Sequence, residues 1–379
     1  MLKLNRIKIN GFRRLVDVDL PLHPLCVMIG PNGVGKTSLL DVFSLLAASA
    51  RGQLNNRLSD FGGIFSILTR DRTSEVELGL DYSEDGEVFH YEILLKTQGF
   101  GYEIGRELLS TKTDALLIER EGAIRYKIFA NGNGANDLRR GAEPLAHPFE
   151  SALSQCTWND AGNAFRIKLS EDFYCSNLNV GPKAAIKFPQ NLQPTLLPGS
   201  QGEQLISTLY TLRETDRERF ETLEDTLRAA FPDFERIDFP PVAAGVVGLL
   251  WKSTQFKTPL MMNQLSEGTL RFLWLSTLLL SPKLPSFTMI DEPEVSLHPE
   301  LLSLLVDLMR GASRRTQLFV ATHSDRLIRF LKPEEVLVAD MTDEGYAKFT
   351  WGSDLDLDEW LAEYSLDELW EMKRLGGVP

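Results

Sequence analysis

Eight residues near the start of the chain have the spacing of a phosphate-binding loop. The pattern G-x-x-x-x-G-K-[ST] is satisfied by Gly30-Pro31-Asn32-Gly33-Val34-Gly35-Lys36-Thr37. In such a loop backbone N–H groups surround nucleotide phosphates, the lysine pairs with the β- and γ-oxygens, and the hydroxyl binds Mg²⁺. A glycine-rich turn with a chance Lys-Thr pair is the simpler alternative. We expect ATP and Mg²⁺ here, with Thr37 as a metal ligand and phosphate contacts from Asn32, Gly33, Val34, Gly35, Lys36, Thr37 and Ser38.

Two acidic residues, Asp291 and Glu292, follow the apolar segment 287–290. If that segment is a strand, both carboxylates emerge at its carboxyl end, where ligands bind in open α/β sheets. We expect Asp291 to hold the Mg²⁺ shell and Glu292 to orient or deprotonate the attacking water. The alternative is an acidic turn that only caps the next helix.

His323 follows another apolar segment, 32 positions after Asp291. A lone histidine is more often structural, but its position after a second strand would bring it to the same sheet edge. There a neutral imidazole could bond the γ-phosphate or the water, so we predict a catalytic role. For His298, in Ser296-Leu297-His298-Pro299, contact with an opposing subunit and simple helix capping fit equally well.

The signature turn, Leu265-Ser266-Glu267-Gly268-Thr269, has the features of an anion site at a helix start. Ser266 and the Gly268 N–H would face the anion, aided by the positive end of the helix. The same subunit already supplies Lys36 to the phosphates. A second group of phosphate-binding donors is therefore useful mainly across an interface between two subunits. We therefore predict a twofold dimer that shares two ATP molecules. The alternative is an ordinary serine-capped helix.

The elements that must position these residues follow from the apolar pattern. Leu25–Ile29 reads as a buried strand that leads into the phosphate loop, and Gly52 should end the helix after it. That helix should bury a stripe formed by Leu39, Val42, Phe43 and Leu46. A half-exposed strand is expected earlier, with its apolar residues at Val16, Val18 and Leu20.

The rest of the chain divides by its periodicity. Residues 75–128, including segments 115–118 and 124–128, predict an antiparallel sheet, whereas residues 131–200 are too rich in Gly, Asn, Pro and Gln to assign. From residue 256 onward the order is turn, helix, strand, helix, strand, which is typical of a parallel sheet layered with helices. Further helices are predicted from five groups of apolar residues: Leu205, Ile206 and Leu209; Phe220, Leu223, Leu227 and Ala230; Leu301, Leu304, Leu305 and Leu308; Leu357, Trp360, Leu361 and Tyr364; and Leu366, Leu369 and Trp370.

These patterns predict an α/β fold with a mixed or antiparallel β portion and a helical insertion. We expect three regions: residues 1–140 with the phosphate loop and antiparallel sheet, residues 141–235 as a loop-rich and helical insertion, and residues 236–379 with the signature turn, acidic strand, His323 and an acidic helical tail. No heptad pattern persists, so a long coiled coil is not expected.

Composition narrows the class of protein. A formal charge of -13 and a pI near 5.0 disfavour indiscriminate duplex binding. We interpret Arg13-Arg14, Arg139-Arg140 and Arg314-Arg315 as solvated pairs, although a local basic groove is left open. Three scattered cysteines, Cys26, Cys156 and Cys175, suggest buried free thiols. Since no apolar run reaches the ~20 residues of a membrane span, we expect a cytoplasmic protein.

The motifs together resemble the ABC-type ATPases of the SMC, RecF and OLD group, and a stand-alone bacterial subgroup of predicted AAA-type ATPases in particular. The resemblance covers both ends of the chain better than its middle. It rests on Ile9-Asn10-Gly11-Phe12-Arg13, on residues 265–272, on residues 291–299, on Thr322-His323-Ser324 and on a tail from Tyr364-Ser365-Leu366 to Gly376-Gly377. It implies an ABC-type P-loop head that dimerises around ATP, each site shared between one subunit's Lys36 and the other's Ser266.

Two departures from the group matter. OLD nucleases continue into a metal-binding nuclease domain, whereas about 55 residues follow Ser324 here without such a constellation, so we do not expect nuclease activity in this chain. The glutamine that contacts Mg²⁺ in many ABC proteins is not assigned. The candidates are Gln53, Gln98, Gln190, Gln193 and Gln201.

The leading hypothesis is a switch ATPase that controls a separate effector, such as a nuclease, or nucleic acid. Relatives of this kind act in DNA repair, chromosome maintenance or anti-phage defence. The alternative is a nucleotide-gated scaffold with little turnover. A transporter's ATP-binding subunit is disfavoured because 230 positions separate Lys36 from Ser266 and because Leu297-His298-Pro299 is unlike a transporter's loop at that site.

Overall fold

A computed structural model of the chain describes most of its residues. They are 3–84, 86–111, 116–121, 125–128, 143–144, 147–155, 160–171, 173–176, 178–361 and 363–375. The predictions for Ala115, Ile124, Arg139-Arg140, Cys156 and Gly376-Gly377 lie outside them. Among the described helices, none is long and apolar enough to cross a membrane.

Two large sheets and two small ones organise the described strands. The strands are β1 (Lys3–Asn10), β2 (Val18–Pro21), β3 (Leu25–Ile29), β4 (Glu75–Glu84), β5 (Glu87–Gln98), β6 (Gly101–Thr111), β7 (Leu116–Glu121), β8 (Arg125–Ile128), β9 (Glu143–Pro144), β10 (Phe173–Cys175), β11 (Gln190–Asn191), β12 (Phe234–Asp238), β13 (Pro241–Ala243), β14 (Val246–Val247), β15 (Leu250–Ser253), β16 (Leu260–Met261), β17 (Phe287–Asp291), β18 (Gln317–Thr322), β19 (Val336–Met341) and β20 (Ala347–Trp351).

The larger sheet has the order β2-β1-β4-β5-β6-β7-β8-β9 and is antiparallel throughout. The second has the order β10-β17-β18-β3-β19-β20, and only β20 runs antiparallel to its neighbour. The small sheets are β11-β14-β13 and β12-β15-β16. The antiparallel sheet expected from residues 75–128 is therefore confirmed for the described residues.

The helices lie mainly around the mixed sheet. They are α1 (Lys36–Arg51), α2 (Leu54–Asp60), α3 (Ile64–Ile67), α4 (Ala152–Gln155), α5 (Asp160–Glu171), α6 (Leu205–Thr215), α7 (Arg217–Ala230), α8 (Glu267–Leu280), α9 (Leu301–Ser313), α10 (Asp325–Ile328), α11 (Asp358–Leu361) and α12 (Leu366–Glu371). Gly52 ends α1 in the left-handed conformation with φ 70, as predicted. Asp216 caps α7, since its carboxylate accepts a hydrogen bond from Arg219 N at 3.2 Å.

The mixed sheet is buried on both faces, because successive side chains of a strand point to opposite sides. In β3, Cys26 and Met28 belong to one core, whereas Leu25, Val27 and Ile29 belong to the other. The first core lies between the mixed sheet, α1 and the antiparallel sheet, with the ring of Phe43 in α1 centred 4.5 Å from that of Phe287 and tilted by 42°. The second core is formed with α6 to α10 and α12. Packing between these two cores holds β17, β18 and β3 side by side in their parallel arrangement.

Several predicted elements differ in detail from the structure. Val16 is buried but precedes β2. On α9, Leu304 and Leu308 are only partly buried, and the buried stripe instead consists of Leu301, Leu302, Leu305, Val306, Met309 and Ala312. The α6 and α7 patterns are confirmed, and both helices share the second core with α8. The division of the chain at residues 140 and 235 stays a prediction.

The interpretation of the cysteines as buried free thiols is correct for one of the two described cysteines and wrong for the other. Cys26 is buried, and burial raises the pKa of its thiol. Cys175, at the end of β10, is an exposed free thiol. The reason is its position at the carboxyl edge of the mixed sheet, where the strands end and side chains reach solvent.

Candidate nucleotide-binding site

The strand order of the mixed sheet gathers the predicted site residues at one edge. β17, β18 and β3 are parallel neighbours, with Asp291 beside Ala321 and Thr322 beside Ile29. The acidic pair, His323 and the phosphate loop therefore leave adjacent strands at their carboxyl ends. This is the edge at which open α/β sheets bind ligands.

The phosphate loop, residues 30–37, is shaped by three glycines. Gly33 and Gly35 have φ values of 74 and 125, which side chains with a Cβ rarely adopt. At Gly30 an added Cβ would lie 2.2 Å from the backbone oxygen of Ala339 in β19. Val34 is fully buried and anchors the loop to the protein. The glycines thus allow a curled backbone of the kind that forms anion-binding concavities.

The polar residues of the loop lie on its outer side. Asn32, Gly33 and Thr37 are exposed, and Ser38 is half-buried. Since α1 begins at Lys36, the free N–H groups of its first turn lie at this edge, where Thr37 is exposed. These residues are placed as a phosphate and Mg²⁺ site requires; their roles stay predictions.

Lys36 is folded back onto its own loop. Its Nζ lies 2.5 Å from Gly30 O, 3.0 Å from Pro31 O and 3.2 Å from His323 Nδ1. Burial lowers the pKa of Lys36 to about 8, while the carboxylates of Asp291, Glu292 and Glu294 act in the opposite direction. The ammonium is therefore held by neutral oxygens and a ring nitrogen, and phosphate oxygens would be stronger partners.

His323 connects the lysine to the acidic pair. Its Nε2 lies 3.5 Å from Glu292 Oε1. Because an ammonium group can only donate, Nδ1 must accept from Lys36, so the ring proton of a neutral imidazole is on Nε2 and points toward Glu292. The structure thus brings Lys36, His323 and Glu292 into one continuous chain of contacts.

The acidic pair has an unusual backbone. Glu292 has φ 46, although its N–H still bonds Ala321 O at 2.8 Å. Non-glycine residues in this conformation are uncommon and concentrate at functional sites. Burial raises the pKa of Asp291, with a further contribution from the adjacent Glu292. A bound cation would offset both influences, which agrees with the predicted metal-ligand role of Asp291.

Within the signature turn Ser266 and Glu267 are exposed, Gly268 and Thr269 are half-buried and Leu265 is buried. Among the described residues, this turn does not join the chain of contacts from Lys36 to Glu292. Ser266 caps α8: its Oγ accepts from Thr269 N at 3.0 Å and lies 2.8 Å from Thr269 Oγ1. The capping interpretation is therefore correct for this serine, and it does not exclude an anion at the same helix start. An added Cβ at Gly268 would lie 2.3 Å from Ser296 O. His298 is exposed, and its Nδ1 accepts from Glu300 N at 3.4 Å just before α9, as the capping interpretation expects; contact with an opposing subunit stays a prediction.

Two charged residues near the site were missed in the sequence. Glu294 Oε1 accepts from Thr322 Oγ1 at 2.5 Å and from His323 N at 3.3 Å. Arg271 of α8 lines a cavity of about 230 Å³ together with Ser176, Asp291 and Glu292. Both lie in segments on which the family resemblance rests, Arg271 in residues 265–272 and Glu294 in residues 291–299, but neither was given a role there.

None of the five candidate glutamines lies on the loop next to Asp291. That loop follows β10, which pairs with β17, and Ser176 N bonds Met289 O at 2.9 Å. Its residues from 176 to 179 are Ser, Asn, Leu and Asn. Gln190 is buried and bonds Gly202 O and Ile206 N. A side chain that reaches Mg²⁺ from this direction would therefore not be a glutamine.

In each of the two described arginine pairs, Arg13-Arg14 and Arg314-Arg315, at least one member is bonded to the protein and is not simply solvated. Arg13 forms an ion pair with Asp41 of α1 at 2.6 Å, and its guanidinium lies 3.4 Å from Ser38 Oγ. Arg315 donates to the carbonyl groups of Leu279 and Ser281 at the end of α8. Both therefore support helices that carry the site.

The donor set of this edge fits a nucleotide with Mg²⁺. It offers a curled glycine loop with free N–H groups, a buried ammonium, a hydroxyl at Thr37 and a strand-end carboxylate at Asp291. Hydroxyl and carboxylate oxygens are the ligands that Mg²⁺ prefers, and it usually keeps several waters.

Two curated proteins match parts of the chain in sequence. An OLD nuclease of Thermus scotoductus is 49% identical over 43 residues, which is 11% of this chain and 8% of that protein. The DNA replication and repair protein RecF of Aliivibrio fischeri is 33% identical over 90 residues, 22% of this chain and 25% of that protein. The aligned parts thus span a small fraction of either relative.

Solved structures show the same fold at low identity. A Smc head bound to the C-winged helix domain of ScpA has a TM-score of 0.55 and 14% identity, covering 92% of this chain and 97% of that one. The Pyrococcus furiosus Smc head bound to the C-terminal domain of ScpA has a TM-score of 0.54 and 13% identity, covering 96% and 98%. The fold class predicted from the sequence is confirmed.

A family model covers most of the chain. The model described as "AAA domain, putative AbiEii toxin, Type IV TA system" matches residues 25–329, which include the phosphate loop, the signature turn, the acidic pair and His323. The chain therefore belongs to this AAA domain family, and it is related to the ABC-type ATPases of the SMC, RecF and OLD group.

Proposed function

We propose that the chain binds and hydrolyses ATP with Mg²⁺ and that it does so as an ATP-dependent homodimer. The observation that carries the proposal is the chain of contacts from Lys36 through His323 to Glu292. It joins the residue expected at the γ-phosphate to the residue expected at the attacking water. The geometry favours hydrolysis over simple nucleotide storage.

Each residue has a distinct task in the proposed reaction. Lys36 leaves Gly30 O and Pro31 O for the β- and γ-oxygens. Glu292 takes a proton from the attacking water, whose oxygen bonds the γ-phosphorus as the bond to the ADP oxygen breaks. His323, neutral and with its proton on Nε2, orients Glu292 or the water. Mg²⁺, held by Thr37 and Asp291, would neutralise charge on the phosphate oxygens.

A second copy of the chain completes the proposed site. At the start of α8 Ser266 is exposed and Gly268 half-buried, and the first turn of the helix offers free N–H groups to an anion. In the dimer this end would meet the γ-phosphate held by Lys36 of the other subunit. We further propose a cytoplasmic protein whose closed dimer controls a separate effector, such as a nuclease, or nucleic acid, in DNA repair or anti-phage defence. The named relatives support this range of roles without selecting one.

Trapping the closed state tests the proposal. Glu292→Gln keeps the size of the side chain but removes the base, so ATP should bind and remain intact. Light scattering after gel filtration should show a dimer with Mg-ATP and a monomer without it. Glu292→Gln combined with Lys36→Ala should stay monomeric, whereas Glu221→Gln on α7, an exposed residue, should behave as wild type. A Glu292→Gln protein that binds Mg-ATP yet stays monomeric would exclude the shared site.

The trapped dimer also offers a route to the partner. Whatever prefers the closed state should copurify with Glu292→Gln under Mg-ATP and be lost with the Lys36→Ala combination. A nuclease-like chain would support control of an effector, and DNA alone would support a direct repair role.

A second candidate is a nucleotide-gated scaffold with little turnover. It is favoured by the loop after β10, where no glutamine is available for Mg²⁺. Multiple-turnover phosphate release distinguishes the two functions. Release by wild type that Lys36→Ala abolishes would exclude the scaffold, whereas tight ATP binding with less than one phosphate released per subunit would favour it.

A further inference from the structure

Glu294 braces the turn that carries His323. The Thr322 hydroxyl donates to Glu294 Oε1 at 2.5 Å and accepts from Ser324 N at 2.9 Å, while His323 N donates to the same Oε1 at 3.3 Å. Thr322 itself is already fixed by its place in β18 beside Ile29. What these bonds add is the orientation of the residues after the strand, and hence the direction of the His323 ring.

The two carboxylate oxygens of Glu294 differ in their hydrogen-bond partners. Glu294 Oε2 is buried and has no hydrogen-bond partner in the described part of the chain, and the same holds for Arg271 Nε. Arg271 lies on α8, five residues after Ser266. Its side chain lines one cavity with Glu292, Pro293 and Val295, which places it against the segment that carries Glu294. Burial lowers the pKa of Arg271, and Glu294 is the foremost of the carboxylates that oppose this shift. Two buried groups of opposite charge thus come from the signature helix and from the acidic segment.

We propose that Glu294 is a positioning residue for ATP hydrolysis: it holds the 322–324 turn so that His323 meets Glu292, and Arg271 of the signature helix acts on the same carboxylate. The inference rests on the proposed ATPase function. In the proposed dimer, Glu294 would connect two parts of one subunit: α8, whose start would meet the partner's ATP, and His323. Glu294 itself need not touch the nucleotide.

The proposal predicts a specific kinetic pattern. Glu294→Ala should lower kcat about 10–100-fold, the range expected when a reacting group is misplaced, while KM for ATP changes less than about threefold. Arg271→Met should lower kcat in the same direction. The exposed ion pair of α7 supplies matched controls, because Glu221→Ala and Arg217→Met remove the same groups at the surface.

Double-mutant cycles separate positioning from general damage. If Glu294 acts through His323, then Glu294→Ala should cost less than about twofold in a His323→Ala background, and Arg271→Met should add little to Glu294→Ala. Thr322→Val, which keeps the buried shape but removes the hydroxyl donor, should reproduce the loss and be non-additive with Glu294→Ala. This variant also serves if Glu294→Ala does not fold.

The outcomes are distinguishable from a failure of the proposed function. If wild type releases no more phosphate than Lys36→Ala, the ATPase proposal itself fails. If wild type turns over and Glu294→Ala keeps its kcat, or if its effect multiplies with that of His323→Ala, only the positioning role is overturned. A non-additive loss of kcat with unchanged ATP affinity and unfolding midpoint supports it.

Discussion

A Cβ on Gly268 would lie 2.3 Å from the backbone oxygen of Ser296. The signature turn is therefore packed against the segment that follows Glu292 and Glu294 in the same chain. Ser296 has φ 64 and Glu292 has φ 46, so both residues on this segment are in the sparsely populated left-handed region. A segment with so little conformational freedom should transmit a displacement of α8 to the acidic pair.

Gly268→Ala is predicted to uncouple dimerisation from ATP binding. The added methyl group must displace Ser296 or the start of α8, at a cost of about 1–3 kcal/mol. In a Glu292→Gln background, ATP should still bind at Lys36, but the Mg-ATP dimer should weaken or disappear. Fluorescent nucleotide titration and light scattering measure the two effects.

The control for this prediction is Gly311→Ala. Gly311 lies inside α9 with open space around its Cα, so alanine should raise stability by about 0.5–1 kcal/mol and leave the dimer unchanged. A Gly268→Ala protein that dimerises as tightly as Gly311→Ala would show that the close packing has no role in the interface.

Ser266→Asp distinguishes helix capping from phosphate binding. Aspartate caps helices as well as serine does and interacts favourably with the positive helix end, so stability should be retained. The same carboxylate would repel a partner's γ-phosphate, so the ATP-dependent dimer should be lost. Ser266→Ala should instead cost about 1 kcal/mol of stability through loss of the cap. Thermal unfolding and light scattering on both variants provide the comparison, and a Ser266→Asp dimer would leave capping as the sole role.

Elements with a strong local pattern were predictable from the sequence. The buried run of β3, the stripe of α1 and the strand before Asp291 each carry their own periodicity, so their order placed the site at one sheet edge. The stripe of α9 was misassigned because its leucines at 301, 302, 304, 305 and 308 leave the inward face ambiguous. Which leucines are buried depends on the neighbouring helices and sheet, which periodicity does not encode.

Contacts between distant segments could not be predicted. β10 has only three residues in a polar region, and it becomes a strand through its pairing with β17. The bond from Thr322 to Glu294 and the charge of Arg271 near the acidic pair also arise only when β17, β18 and α8 are assembled. These long-range contacts hold the motif residues in position, and the motif residues are the ones expected to contact the nucleotide.

ATP binding should take up a proton at Lys36 near pH 8. Burial lowers the pKa of Lys36 from 10.5 to about 8, so the free protein is partly deprotonated there, whereas phosphates favour the charged form. Affinity should therefore fall as the pH rises above 8, by up to about tenfold per pH unit. The same shift means that folding carries the cost of a buried charge below pH 8, and that this cost is relieved between pH 8 and 10.5.

Titration calorimetry in two buffers of different ionisation enthalpy measures this uptake directly. Lys36→Arg is the control, because a guanidinium keeps its charge across the range and should bind ATP without taking up a proton. Equal uptake by wild type and Lys36→Arg would assign the proton to another group.

The buried pair of Glu107 and Arg120 should affect stability and not the nucleotide site. Both side chains are fully buried, 4.0 Å apart, in the antiparallel sheet. Glu107 also accepts from the Tyr91 hydroxyl at 3.0 Å, from the Ser151 hydroxyl at 2.5 Å and from the N–H groups of Ala152 and Leu153 at 2.7 and 3.0 Å. Removing the carboxylate takes a hydrogen-bond acceptor from these four donors and a counter-charge from the buried Arg120.

Glu107→Ala should therefore lower the free energy of unfolding by about 3–5 kcal/mol, the usual cost of breaking a buried ion pair from one side. Glu103→Ala on the same strand, where the carboxylate bonds Gln98 at the surface, should change it by less than about 0.5 kcal/mol. Urea unfolding compares the two variants, and ATP affinity below the unfolding transition should match wild type in both. A loss of ATP affinity in folded Glu107→Ala would instead mean that the antiparallel sheet determines the geometry of the phosphate loop, since α1 packs between the two sheets.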